Sequence, residues 1–393
     1  MAAPLTPLRG STDGSNTRRG PVKFKWMQLL VISMLALPMN SFTTHAASAN
    51  PTLAKAKQEA EAKGFTFAAS QEEIIANAKK EGKLRVMGSL DAQTLKALND
   101  AFRKKYPFID AQAQEIAGTD NYIRMIQEMK AGMAKSWDVN YVAFDMYPEY
   151  LPFQKKFDIL GMAQQGVLQI PQKMIDPVNR HVVVVASDLQ AVAFNKKHIA
   201  AEKVPNTWEG FLREEFSGRK FMLDIRPKDL AALVPVWGME KTLDFARKLA
   251  AQKPVWIRGN SRALTMIQSG EYSMLFGPNL ATALRVEKKD PNIGYKIVEP
   301  VPTRLNEAQS ILNAASNPYA GLLWLEFLCS PTGQTIIDQI EPYGASYLTP
   351  GSVQEKIVRG LKLSVVDWEH VAKLEDYQKK ITEAYGFPRA DAK

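Results

Sequence analysis

Cysteine is nearly absent from this sequence, with Cys329 the only one in 393 residues. A chain with one cysteine holds no internal disulfide and no thiolate metal cage. Histidine is scarce too: beyond residue 50 there are only His181, His198 and His370, far apart. That spacing argues against a zinc site and against a His-based catalytic triad. The phosphate loops G-x-x-x-x-G-K and G-x-G-x-x-G and the nucleophile elbow G-x-S-x-G are missing as well. No cofactor and no metal is therefore expected. Charge of one sign is not concentrated anywhere. The formal net charge is +9, and residues 1–49 hold five basic residues against Asp13, which leaves about +5 for the rest. Nucleic-acid binding draws on a clustered basic stripe, so no nucleic-acid partner is expected.

Long apolar runs are missing with one exception. "WMQLLVISMLALPM", Trp26 to Met39, is 14 residues long, short of the roughly 20 needed to span a bilayer. Arg9, Arg18, Arg19, Lys23 and Lys25 precede it and the small residues of "HAASAN" follow it. A basic segment, a short apolar core and an Ala-x-Ala-like end define a cleavable export signal. Cleavage is expected after Ala47 or Ala49, with residues 1–49 as the leader. "TRRGPVK" (Thr17 to Lys23) echoes a twin-arginine signal, but Pro21 stands where that pattern has an apolar residue. No cysteine follows the apolar core, so no lipid anchor is expected there. The expected location is the periplasm.

What the rest of the chain has in quantity is strand–helix alternation. Ser70 and Glu73 form a capping box ahead of Ile74 and Ile75, and Gly82 ends that helix. "LRVMG" (Leu84 to Gly88) reads as a buried strand, followed by Ser89 and a helix from Asp91 to Lys105 that stops before Pro107. "AQAQEIAG" is a weaker strand, after which Thr119 or Asp120 is expected to cap a helix carrying Tyr122, Ile126, Met129 and Met133 on one face. "WDVNYVAF" is a third strand. "HVVVVASDLQAVAFN", His181 to Asn195, is long enough for two strands or one bent strand. A second α/β block follows, and the chain closes with helices from Pro318 onward. Such alternation implies parallel α/β sheets.

Three stretches carry a family resemblance. "VPNTWEGFLREEFSGRKFMLDIRP" (Val204 to Pro227) resembles the P-x-T-W-x-D-L … W-K-G-K-I segment of bacterial ABC-transporter solute-binding proteins. "VWIRGNSRALTMIQSGEYSMLFG" is similar to their R-G-S-T … G-E segment, and "NPYAGLLWLEFLCSPTGQ" to their N-P-x-A-A-x-x-F-x-x-F-L-L-S-x-x-G-Q. The order matches over residues 84–349, nearest to the branch with ferric-iron and phosphonate binders. The resemblance implies an α/β, two-lobed periplasmic-binding-protein fold of type II, with hinge-linked lobes closing on a ligand cleft. Lobe 1 is expected at 50–187, lobe 2 at 188–300, and a return to lobe 1 with C-terminal helices at 301–393. Crossing strands would fall near Asp188–Phe194 and Glu299–Ala308. The implied partners are a small solute and an inner-membrane permease, and the chain itself is expected to be a monomer. It is expected to be a carrier and not an enzyme. Were it an enzyme on this fold, Cys329 would be the nucleophile to consider, although its place in "LLWLEFLC" reads as core filler.

One departure bears on iron. Ferric binders of this branch carry an adjacent tyrosine pair after the G-E strand, where this chain has Leu280 and Ala281. Tyr141, Tyr147 and Tyr150 lie elsewhere. Iron held by other ligands is the alternative to a small organic anion. The anion reading rests on Arg258 and Arg262, which flank Gly259 at a helix start that Asn260 or Ser261 is expected to cap. Helix N-termini present free N–H groups and partial positive charge, and guanidinium groups grip carboxylates or phosphonates. Further ligand contacts are expected from Ser89, Thr119, Asn121, Tyr122, Arg226, Ser261 and Asn279.

Overall fold

Ten strands in this computed structural model, which describes residues 51–341 and 344–387 apart from the Ser261 side chain, form one hydrogen-bonded network. The expected leader lies outside the described residues. The strands are β1 (Lys83–Gly88), β2 (Asp110–Glu115), β3 (Val139–Val142), β4 (Val183–Asn195), β5 (Met222–Asp224), β6 (Val255–Ile257), β7 (Met274–Asn279), β8 (Ile293–Lys296), β9 (Val301–Ile311) and β10 (Leu363–Val366). Their order is β2-β1-β3-β9-β4-β7-β5-β6, with β10 added beside β9 and β8 beside β4.

A first block pairs β1 in parallel with β2 and β3, and a second pairs β5 in parallel with β6 and β7. Helices cover both, as the alternation requires. Thr94, Leu95, Leu98 and Phe102 form the buried stripe of helix Ala92–Lys105. Helix Pro318–Cys329 buries ten residues, from Ala320 to Cys329, and its apolar sequence suits that place. Each large side chain so buried contributes roughly 1.5–3 kcal/mol. In the second block, Phe276 stacks on Phe221 and takes the edge of Phe211, each 4.5 Å away between ring centres.

Two long strands join the blocks. Val183–Leu189 of β4 pairs with β9, whereas Gln190–Asn195 pairs with β7 and β8. The stretch His181–Asn195 is thus one strand with a register shift between Gln190 and Val192, where its partners change. β9 likewise runs from β10 at Val301–Arg304 to β3 at Ala308–Ile311.

Sequence signals for helix ends divide into two groups. Ser70 caps as expected, accepting from the amide of Glu73, and Thr207 and Ser330, which the sequence likewise offers ahead of helices, accept from the amides of Gly210 and Gly333. Thr119 and Asp120 do not cap: the cap position is Gly118 at φ 87°, and Thr119 opens the first turn. Asn260 and Ser261 are also inside their helix, behind Gly259 at φ 96°. In both cases a left-handed glycine takes the turn that no side-chain oxygen needs to close. The last two helices among the described residues are Trp368–Val371 and Leu374–Ala384. Helices Pro318–Cys329 and Pro331–Ile340 return to the first block, whereas Leu374–Ala384 lies on helices Lys228–Ala231 and Val234–Ala251 of the second.

Candidate ligand cavity at the strand crossing

Antiparallel pairing of β4 with β9 sets Asp188 opposite Arg304. Around Asp188 the polar groups of both blocks converge. Its Oδ2 accepts from Arg304 Nη2 at 3.1 Å, and its Oδ1 accepts from Asn306 Nδ2 at 3.1 Å and Asn279 Nδ2 at 2.6 Å. Asn279, at the end of β7, also caps the next helix by accepting from the Ala281 amide at 2.8 Å. The Arg304–Asp188 pair is largely shielded, with side chains 19% and 17% exposed, and Arg304 Nε is buried with no hydrogen-bond partner. A buried donor left open is costly unless something fills it.

Two cavities meet at Asp188 and Asn306. The larger, about 360 Å³, is lined by Gly118, Thr119 and Tyr122 at the start of helix Thr119–Lys130, by Tyr141, Phe144 and Asp145, and by Lys228 and Arg304. The smaller, about 170 Å³, is lined by Ser89, Asn279, Thr282, Arg285, Glu307 and Glu341 among others. Lys228 of the second block forms an ion pair with Asp145 of the first at 3.3 Å, at the edge of the larger cavity.

Electrostatically the site is mixed. Glu307 is 1% exposed; burial raises its pKa, opposed by hydrogen bonds from Ser89 and Gln309. The rings of Tyr122 and Tyr141 are 5.1 Å apart, and burial followed by the Glu307 charge pushes both phenols up. Asp229, beside Lys228 in sequence, is buried and raised to about 6, chiefly by desolvation.

Of the residues expected from sequence, Ser89, Thr119, Tyr122 and Asn279 line these cavities. Asn121 does not: its Nδ2 donates to the Ala117 carbonyl at 2.6 Å. Arg226 is held by Asp224, with Nε at 3.3 Å and Nη2 at 3.2 Å from its oxygens. Arg258 and Arg262 are exposed and line neither cavity. Asp224 holds this loop as well, accepting from the Gly259 amide at 2.9 Å, and Asn260 Nδ2 reaches the Gly277 carbonyl at 3.2 Å. Ser261's side chain is outside the described residues. Sequence reading missed Asp188, Arg304, Asn306 and Glu307. Their signal was charge and amide inside two crossing strands that are largely buried, which buried strands tolerate only where polar groups find partners.

Among the described residues, no group of three His, Cys, Asp or Glu side chains is placed to hold a metal ion, and no helix is long and apolar enough to cross a membrane. Cys329 is 3% exposed and its thiol is pushed far up by burial, so it packs the core as its sequence context implied. Tyr147 is buried against Asp176, and the Tyr150 hydroxyl donates to the Tyr122 carbonyl at 3.4 Å, so of the three tyrosines only Tyr141 faces the cavity.

Two α/β blocks joined by long crossing strands, with a cavity at the join, are the architecture of the two-lobed periplasmic binding proteins. The chain belongs to the bacterial extracellular solute-binding protein family, whose profile matches residues 146–374, more than half its length. No curated protein matches the sequence. Among solved structures it is similar to a Trichodesmium protein (IdiA, FutA) in complex with iron and citrate ligands, with TM-score 0.61 and 16% identity over 77% of this chain and 99% of that one. It is also similar to ferric iron-binding protein A from Mannheimia haemolytica in an open conformation (TM-score 0.61, 17% identity, 77% and 98% covered). A third is the substrate-binding protein of an ABC transporter from Agrobacterium tumefaciens (TM-score 0.58, 18% identity, 77% and 94% covered). At such identities the likeness is one of fold. The family is one of solute binders, and its members serve ABC importers.

Proposed function

We propose that this protein is exported to the periplasm, captures a small anionic solute at the strand crossing and hands it to an inner-membrane permease. The lobes are taken as 50–187 with 301–373, and 188–300 with the helix Leu374–Ala384 that packs on it, closing about β4 and β9. The observation that carries the reading is the larger cavity: its wall draws on both blocks, and it holds Arg304, Lys228 and the N-terminal turn of helix Thr119–Lys130. Its volume, about 360 Å³, is at the small end of the roughly 300–1,000 Å³ of small-molecule sites. A solute anion would take hydrogen bonds from Arg304, whose Nε lacks a partner, and from the Thr119 end. Mass spectrometry of native protein purified from the periplasm tests it: a small anion released on unfolding, in near-equimolar amount, is expected. A neutral or purely cationic solute there would sink the anion assignment. Small-angle scattering should also give a smaller radius of gyration with that solute bound.

Ferric iron is a second reading, favoured by the facing pair Tyr122 and Tyr141 with Asp145 and Asp188 in the same cavity. Of the similar structures, one is in complex with iron and citrate and another is a ferric iron-binding protein. Phenolates are hard anionic iron ligands, but here burial disfavours ionising either phenol. Ferric citrate added to the protein should produce a visible phenolate-to-iron absorption band if this reading is right; its absence would leave the organic anion.

A further inference from the structure

Each charge that lines the larger cavity has an opposite charge beside it. Its charged side chains are Asp145, Asp188, Lys228 and Arg304, and they form two pairs, Arg304 with Asp188 at 3.1 Å and Lys228 with Asp145 at 3.3 Å. The pairs are built differently. Asp188 is shielded and saturated, since Arg304, Asn306 and Asn279 all donate to it. Asp145 is exposed, and among the described residues its carboxylate accepts from Lys228 alone. Such an exposed pair contributes under about 1 kcal/mol and exchanges partners readily. An entering anionic group would take the open Nε of Arg304 and draw Lys228 toward itself. Asp145 would then stand beside the solute without a cation.

The surroundings of Asp145 say what could replace Lys228. Phe144 precedes it, and the rings of Tyr122 and Tyr141 line the same cavity, 5.1 Å apart and tilted by 51°. Burial, followed by the Glu307 charge, pushes both phenols up, so at neutral pH they are uncharged rings. A carboxylate next to uncharged aromatic rings suits an ammonium group, held by charge and by the negative π faces. Two carboxylates and two cations also leave the cavity without net charge, a balance that a plain anion upsets and a zwitterion preserves.

We infer that the solute is dipolar, with its anionic group at Arg304, Lys228 and the Thr119 end, and an ammonium group at Asp145 against the Tyr122 and Tyr141 rings. Asp145 is then a specificity-determining residue that selects zwitterions over plain carboxylates. The inference deepens the proposed function and rests on an anionic group entering the larger cavity.

Calorimetry with probes matched in chain length tests it: the ω-amino acids from glycine to 6-aminohexanoate and their N-trimethyl betaines, the unbranched mono- and dicarboxylates, and the alkylamines. At least one zwitterion is expected to bind about tenfold or more tighter than the carboxylates of its length, as for one hydrogen bond to a charged group. Asp145→Asn keeps the shape and removes the charge. It should weaken that zwitterion about tenfold and leave the matching monocarboxylate unchanged or tighter, because Lys228 is freed; a merely structural role would weaken both together. Tyr122→Phe, which keeps the ring, should bind the zwitterion like the parent, and Tyr122→Leu severalfold more weakly. A parallel loss of both probes in Asp145→Asn, or parent affinity in Tyr122→Leu, overturns the inference. So does a series in which no zwitterion binds or carboxylates bind as tightly, although bound carboxylates leave the proposed function standing. Alkylamines binding as tightly as the zwitterions would remove the anionic group itself, and both readings with it.

Discussion

Two helix starts in this molecule look alike in sequence and differ in placement. Gly118 (φ 87°, ψ 143°) precedes helix Thr119–Lys130, and Gly259 (φ 96°, ψ 125°) precedes helix Asn260–Gln268; neither has a side-chain cap. Both present the free amides that attract anions. The second has Arg258 and Arg262 beside it and the first has no arginine nearer than Arg124, so sequence favours the second. The structure gives the first one the cavity. The lesson is that local chemistry marks where an anion could sit, whereas the meeting of distant strands decides where it is enclosed. Arg304 supplies from β9 the guanidinium that the Gly118 end lacks in sequence.

The sharpest way to break this contrast is to exchange the two sets of arginines as targets. Arg304→Ala removes a shielded, charge-assisted contact and leaves Asp188 with only amide donors. Affinity for the co-purified solute should fall by about 2–4 kcal/mol, roughly 30- to 1,000-fold. The exposed Arg258→Ala and Arg262→Ala should each cost less than about threefold in the same calorimetry. A large loss at Arg258 with none at Arg304 would reverse the assignment.

Next in size is a stability effect under the Gly259 end. Gly277, whose carbonyl accepts from Asn260, has φ 71°, and a Cβ there would stand 2.3 Å from Asp229 Oδ2. Gly277→Ala should destabilise the protein by about 2–4 kcal/mol in denaturant unfolding. At Gly166, with φ 72° and open space around it, the same change should cost about 1 kcal/mol, from backbone strain alone. Equal costs at both positions would show that the Asp229 contact yields freely.

Asp229 adds a pH dependence. Its folded pKa, raised by burial to about 6 from 3.8, means that folding binds a proton. The stability it contributes is full below about pH 4 and is lost as pH rises through about 6, a change of about 2–3 kcal/mol. Asp229→Asn should remove that loss, so the variant gains on the parent between pH 4 and pH 7 in unfolding titrations. A parent-to-variant difference independent of pH would mean Asp229 ionises as an ordinary carboxylate.

The smallest effect concerns the Gly118 end itself. Thr119→Ser keeps the hydroxyl and Thr119→Ala deletes it, so a loss of about 1 kcal/mol in solute affinity, roughly fivefold, is expected only in the second. Equal affinities would place the hydroxyl away from the solute.

Much of the secondary structure was legible in the sequence, because its causes are local. Ser70, Thr207 and Ser330 cap through bonds spanning three residues, and the largely apolar stretch His181–Asn195 was long enough for two strands or one bent strand, of which the structure forms one. Gly118 and Gly259 were misread as lying before a capping side chain, since a left-handed glycine can end a loop without one. The site was only half legible. Ser89, Thr119, Tyr122 and Asn279 stood out because each follows a strand or opens a helix. Asp188 and Arg304, 116 residues apart, are joined only by strand register, which a pattern of alternation does not specify.

The sequence by itself determined the class of the protein, through α/β alternation and through motifs that resemble those of a solute-binding family. The alternation rests on periodicity and short spacings, the family on the resemblance. The tertiary structure alone decided which polar residues are enclosed together. β4 and β9 carry Asp188, Arg304, Asn306 and Glu307 into contact with the ends of β1, β3 and β7. Burial there removes water, so each charge must find its partner across the fold, and that partnership shapes the cavity.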